Sequence, residues 1–194
     1  MRRGRLIVIA GPSGVGKGSV VKELLSRDPG GLALSVSATT RPPRSTEADG
    51  RDYSFLTAEA FAGGIEAGEF LEWAEVFGNL YGTPRAAVER DLADGRDVVV
   101  EIDVQGAAQI RAADPDAVLI LLAPPSMDDL AHRLRGRGTE SEERIAERLS
   151  AAERELQQAA WFDHVVVNDD LRRATDEVAA IIGRSRSLVP EDPS

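Results

Sequence analysis

The chain has 194 residues, 42% of them apolar and 29% charged, with a formal net charge of -10. That size and balance describe one globular domain with room for inserted sub-domains, and the acidic excess argues against a nucleic-acid partner. The absence of cysteine excludes disulfides and thiolate zinc sites, and two histidines leave little for a histidine-rich metal centre.

Residues 1–5, MRRGR, are basic, but the apolar run that follows is too short for a signal peptide. No apolar stretch reaches the ~20 residues of a membrane span, so a cytoplasmic protein without a membrane partner is expected. Residues 6–10, LIVIA, read as a buried strand. Residues 11–16 form a glycine-rich turn, and 19–26 carry apolar residues at helical spacing. Residues 32–36 read as a second strand.

The runs 98–104 and 118–123 are almost continuously apolar, as parallel strands covered on both faces are. Each leads into a helix, over 106–113 and 126–134; the second opens on a Ser126 cap with Asp128 and Asp129 in its first turn. A last strand at 165–168 precedes a helix at 171–182. The alternation predicts an α/β fold, a doubly wound parallel sheet.

Two stretches break the rhythm. Residues 37–87 hold Gly/Pro turns and scattered aromatics, and read as a small mixed insertion rich in hairpins. Residues 132–157 begin rich in Arg and Gly and continue as a helix with Ile145, Leu149, Ala152 and Leu156 on one face. The expected organisation is core (1–36), insertion (37–87), core (88–131), helical lid (132–157) and core again (158–194), the last with a frayed tail.

Residues 11–19 read GPSGVGKGS, which fits the phosphate-cradling pattern G-x-x-x-x-G-K except that Gly18 stands where a Ser or Thr is usual. Such a loop between strand and helix aims backbone N–H groups and a helix N-terminus at phosphates. Among 23 basic residues only Lys17 and Lys22 are lysine, so a lysine at the loop's key position stands out. Arg41 and Arg44 follow the second strand; they either clamp a phosphate or decorate a solvated turn. Glu101 and Asp103 end a parallel strand, where they serve a magnesium shell, a ligand's donors, or a helix cap. Arg133, Arg137 and Arg148 are candidates for a movable cationic lid, whereas Arg135, Arg144 and Arg154 fit a solvated helix face better. Asn168 either contacts a base or caps the next helix.

Together these segments resemble guanylate kinases. The matching stretches are GPSGVGKGS (11–19), SVSATTRPPR (35–44), GRDYSF (50–55), EFLEWAEVFGNLYGTP (69–84), EIDVQG (101–106), LAPPS (122–126), LRGRGTESEE (134–143) and VNDD (167–170). The resemblance implies a P-loop α/β core, a nucleoside-monophosphate-binding insertion, a lid, and transfer of the γ-phosphoryl of MgATP to GMP or dGMP. It assigns Ser37, Glu72, Thr83 and Asp103 to guanine. Arg41, Arg44, Tyr53 and Tyr81 go to the GMP phosphate, with Glu47 orienting the arginine pair. Gly11, Pro12, Ser13, Gly14, Val15, Gly16, Lys17, Gly18 and Ser19 go to ATP, and Asn168 to the adenine. Lys17, Arg41, Arg133, Arg137 and Arg148 become the catalytic set. The G-K-G-S ending also resembles nucleoside-monophosphate kinases, so Gly18 does not imply decay. Mg²⁺ is then expected to be held mainly by ATP and water, with Glu101 or Asp103 in its outer shell.

Two other readings compete. A protein-binding module with this fold, lacking catalysis, typically loses the P-loop, which is intact here. A P-loop kinase of a phosphorylated sugar would lack the guanine-reading set.

Overall fold

The computed structural model describes residues 3–28, 30–136 and 141–187. A five-stranded parallel sheet lies at its centre, in the order β2-β7-β1-β8-β9. Its strands are β1 (Leu6–Ala10), β2 (Leu32–Leu34), β7 (Asp97–Ile102), β8 (Val118–Ala123) and β9 (His164–Val167).

Alternation along these strands feeds two cores. Leu6, Val8, Val98, Val100, Leu119 and Leu121 face one way. They pack against α3 (Arg85–Ala93) and α4 (Val104–Ala113) through Val88, Leu92, Ala107 and Ile110. Ile7, Ile9, Val99, Ile120, Leu122 and Val166 face the other way, against α1 (Lys17–Arg27) and α7 (Leu171–Ser187). Each buried Ile, Leu or Val contributes about 1.5–3 kcal/mol, which is why an apolar run without polar interruption settles in the sheet centre.

The sheet order reverses at β1, whose neighbours β7 and β8 lie on opposite sides. The P-loop leaves the C-terminal end of β1, at the switch point where α/β sheets open a crevice.

Residues 38–84 build a second sheet, β4-β3-β6-β5, from β3 (Ala38–Thr39), β4 (Ser54–Phe55), β5 (Phe70–Val76) and β6 (Asn79–Pro84). Only β5–β6 is a hairpin; β3 pairs parallel to β4, and α2 (Ala58–Glu66) packs Phe61 on Phe70 beneath the sheet. Finally, α5 (Met127–Arg135) and α6 (Glu142–Leu156) share a satellite core of Leu130, Leu134, Ile145 and Ala152, with Leu149 half-buried beside it.

Several boundaries differ from the sequence reading. The β7 strand stops at Ile102, because Asp103 accepts a hydrogen bond from the Gly106 N–H (2.7 Å) and caps α4. The α1 helix begins at Lys17, two residues early, and α7 runs on to Ser187. The β2 strand ends at Leu34, and β9 stops before Asn168. Helices α2 and α3 were not foreseen. The tail from 188 and Arg137 lie outside the described residues.

Candidate active site

The P-loop owes its shape to three glycines with positive φ: Gly11 (144°), Gly14 (90°) and Gly16 (101°). The space around them is also taken. A side chain at Gly14 would strike Leu134, and one at Gly16 would strike the amide of Asn168. Lys17 opens α1, and its Nζ donates to the carbonyls of Gly11 (2.5 Å) and Pro12 (3.3 Å). The loop's carbonyls thus hold the ammonium beside the N–H groups that opened α1.

Two polar side chains brace the loop from outside. The Asn168 amide donates to the Val15 carbonyl (2.8 Å), while Arg133 donates to the carbonyls of Val15 (3.1 Å) and Asn168 (2.7 Å). The end of β9, the end of α5 and the P-loop are joined in this way. Arg148, reaching over from α6, donates to the Ser13 hydroxyl at 2.6 Å.

Beside the loop a cleft of about 400 Å³ extends toward the second sheet. Gly11, Ser13, Lys17, Glu101 and Arg148 line it at the P-loop, and Ser37, Arg41, Arg44, Tyr53, Glu72, Tyr81 and Asp103 are among the residues that line the remainder. Glu101 stands next to Gly18, with its carboxylate 3.5 Å from where a β-carbon there would lie. Burial pushes the Glu101 carboxyl up from its ordinary range, and the Lys17 charge draws it partly back.

At the far end, Glu72 is 4% exposed on β5. The register pairs it with Thr83 on β6, whose hydroxyl donates to Glu72 Oε1 at 2.6 Å. The other oxygen sits against Gly106, where any side chain would collide with it. Burial drives the Glu72 pKa up to about 7, and the Asp103 charge adds to this, against the hydrogen bonds from Thr83.

Between the two ends lies a cationic group. Both oxygens of Glu47 accept from Arg41 Nη2 (2.9 Å each), and Glu47 also accepts the Arg44 backbone N–H at 2.8 Å. Arg41 is thereby held at 16% exposure over the Tyr53 ring, with Tyr81 beside it, while Arg44 is 70% exposed. Burial works against the Glu47 carboxylate, but the Arg44 N–H and the two guanidinium groups outweigh it and lower its pKa. Burial and the Glu101 charge raise the Tyr53 phenol.

The arrangement offers a donor-rich anion cradle, a second anion site of two arginines and two phenols, and a buried acceptor pair. A model of the guanylate kinase family matches residues 3–185. The chain belongs to the guanylate kinase family. It is 51% identical over 180 residues to the guanylate kinase of Symbiobacterium thermophilum, covering 93% of this chain and 85% of that one. To that of Synechocystis sp. it is 53% identical over 181 residues, covering 93% and 94%. The crystal structure of guanylate kinase from Anaplasma phagocytophilum superposes with a TM-score of 0.78 at 32% identity, covering 97% of this chain and 89% of that chain. Guanylate kinases are nucleotide-binding phosphotransferases that use ATP, and this chain is an enzyme of that family. The matches do not favour a non-catalytic module or a sugar-phosphate kinase.

Most residues singled out from the sequence meet in this one cleft. Thr83 sits behind Glu72, and Arg133 and Asn168 sit behind the P-loop. Asp103 takes the helix-cap reading, accepting from Gly106 at the start of α4, and it also lines the cleft. Among the lining residues that were not site candidates, four carry polar or aromatic side chains: Phe77, Asn79, Arg144 and Glu155. Arg144 is the exposed helix-face residue expected, beside Glu147 at 3.8 Å, and its guanidinium also lies 5.9 Å from the Phe77 ring centroid. Glu155 keeps one buried oxygen without a hydrogen-bond partner, and burial raises its pKa. Its i, i+7 relation to Arg148 on α6 was the one available signal. Among the described residues no cluster of three or more metal-ligating side chains occurs, and no helix is long and apolar enough to cross a membrane.

Proposed function

We propose that this cleft transfers the γ-phosphoryl group of ATP to GMP, and to dGMP, giving ADP and GDP, as a step of purine nucleotide metabolism in the cytoplasm. The observation that carries the reading is one continuous cleft with the P-loop lysine at one end and a buried Glu72–Thr83 pair at the other.

Guanine presents N1–H and N2–H as adjacent donors, and the Glu72 carboxylate accepts both, with Asp103 and Ser37 beside it. Arg41, Arg44, Tyr53 and Tyr81 hold the GMP phosphate. Residues 11–19 take the ATP phosphates, with Lys17 leaving the carbonyls of Gly11 and Pro12 for phosphate oxygens. Asn168 lies toward the adenine side. A GMP phosphate oxygen attacks the γ-phosphorus in line, the bond to the β–γ bridging oxygen breaks, and the charge leaves with ADP. Lys17, Arg41, Arg133 and Arg148 stabilise that charge, with Arg137 assigned beside them by resemblance alone.

Magnesium fits the oxygen-only donors here as an ion kept by ATP and water, with Glu101 and Asp103 as outer partners. When bound it neutralises phosphate charge. Closure of 37–87 and 132–157 over the core excludes water, so that phosphoryl passes to GMP rather than to solvent.

A thermal-shift panel tests the reading. GMP should raise the melting temperature, whereas AMP and ribose 5-phosphate at equal concentration should not. Equal shifts from all three would reject guanine recognition.

A further inference from the structure

The β5–β6 hairpin turns on Phe77 and Gly78, and both have positive φ, 50° and 78°. A two-residue turn of this kind favours Asn-Gly or Gly-Gly, since a β-carbon resists the left-handed region. Phe77 is the only non-glycine residue with positive φ among the described residues. Core burial does not account for it, because Phe77 is 38% exposed.

Its ring instead faces α6. The Arg148 guanidinium lies 4.6 Å from the ring centroid and that of Arg144 lies 5.9 Å away, both within cation–π range. Arg148 also donates to Ser13 of the P-loop. One arginine therefore touches the helix that carries it, the phosphate loop and the tip of the hairpin whose strand holds Glu72. The chemistry of the partner matters. A carboxylate at 77 would hold Arg148 but neutralise it and occupy its N–H donors. An aromatic face attracts the cation without adding a counter-charge of its own.

We infer that Phe77 is a positioning residue for phosphoryl transfer: its ring holds Arg148 at the cleft and ties the position of this arginine to the hairpin that carries Glu72. The inference rests on the assignment of Arg148 to the transferring phosphoryl group. A strained backbone at an exposed aromatic residue fits such a role, since strain persists where function uses it.

The test compares Phe77→Leu, Phe77→Asn, Phe77→Trp and Arg148→Ala in the full chain. Phe77→Leu keeps bulk and backbone strain but loses the π face. Phe77→Asn gives the turn its favoured Asn-Gly sequence and also loses the face. Both should lower kcat about 2- to 5-fold, the worth of one partly exposed cation–π contact, with KM for GMP unchanged. Phe77→Asn should meanwhile raise the melting temperature, and Phe77→Trp should retain wild-type kcat. In an Arg148→Ala background, Phe77→Leu should cost nothing further. The Arg148 Nε–H resonance should also lose its ring-current shift in Phe77→Leu. If Arg148→Ala is slow while Phe77→Leu and Phe77→Asn keep wild-type kcat, the positioning role is wrong and the role of Arg148 stands. If the Phe77→Leu loss persists in full without Arg148, Phe77 acts by another route and the inference fails. Wild-type kcat in Arg148→Ala would reject the assignment of Arg148 and the inference with it.

Discussion

Thr83 donates its hydroxyl to Glu72 across the β5–β6 pair, at 2.6 Å, deep in the wall of the cleft. The hydrogen bonds from Thr83 only partly offset the burial that drives this carboxyl up to about 7. Glu72 is therefore a buried acceptor whose charge is poised near neutral pH, and two neighbouring N–H donors would favour its ionised form.

A pH dependence with a defined sign results. Donors favour the ionised carboxylate, so guanosine binding should strengthen as pH rises through about 7 and release protons near that pH. Guanosine is the right probe because GMP's own phosphate titrates near 6. Titration calorimetry in buffers of different ionisation enthalpy measures the proton count, and Glu72→Gln should abolish the release.

The same shift acts on stability. A carboxyl raised from 4.5 to about 7 binds its proton more tightly when folded, so its contribution is full below 4.5 and is lost as pH rises through 7. Ligand-free Glu72→Gln should match wild type at pH 4.5 and exceed it by about 3 kcal/mol at pH 8 in urea unfolding. An equal gap at both values would contradict the burial effect.

Lys17→Met keeps the aliphatic stem and removes the charge at the loop. The transfer rate should fall about 10²-fold or more with the fold retained, as steady-state kinetics and circular dichroism would record. A correctly folded, fully active variant would remove Lys17 from the mechanism.

What the sequence disclosed depended on how local each signal was. The strands β1, β7 and β8 were legible because burial on both faces leaves near-unbroken apolar runs. The P-loop was legible because glycine is required where φ is positive and space is taken. Helix α3 was hidden because it starts at Pro84 without a side-chain cap, and its apolar stripe is narrow. The Glu72–Thr83 pair needs a hairpin register that a Phe-Gly turn does not announce. From the sequence, Glu72 and Thr83 were assigned to guanine one by one, through resemblance only, and their pairing is visible only in the structure. Arg144 and Glu155 line the cleft through a tertiary approach of α6 to Phe77, at which the i, i+7 spacing of Arg148 and Glu155 only hints.

The brace behind the P-loop should matter for ATP more than for GMP. Asn168 is buried and bonds Val15, whose carbonyl also takes Arg133. Asn168→Leu should cost about 1–3 kcal/mol of stability by removing a buried donor, and should weaken ATP affinity while leaving GMP affinity unchanged. Calorimetric titration with each nucleotide separates the two effects.

Far from the cleft, Arg186 on α7 donates to Asp97 (2.6 Å), to Asp28 (3.0 Å) and to the Gly31 carbonyl (3.2 Å). Asp97 is 3% exposed, so it depends on this cation and on the Arg5 N–H. Arg186→Ala should destabilise by about 2 kcal/mol, below the usual cost for a fully buried pair because Arg186 is partly exposed. Adding Asp97→Asn should restore part of the loss, read from denaturation midpoints.

The central claim, that the cleft phosphorylates GMP by reading guanine through Glu72, is tested most directly by kcat/KM for GMP and AMP in wild type and Glu72→Gln. AMP would set its bare N1 acceptor against the carboxylate and leave the site's polar groups unpaired, so wild type should prefer GMP by about 10⁴-fold or more. In Glu72→Gln the GMP value should fall about 10²-fold and the preference should narrow. An unchanged GMP to AMP ratio in the variant would contradict the account and move base recognition away from Glu72.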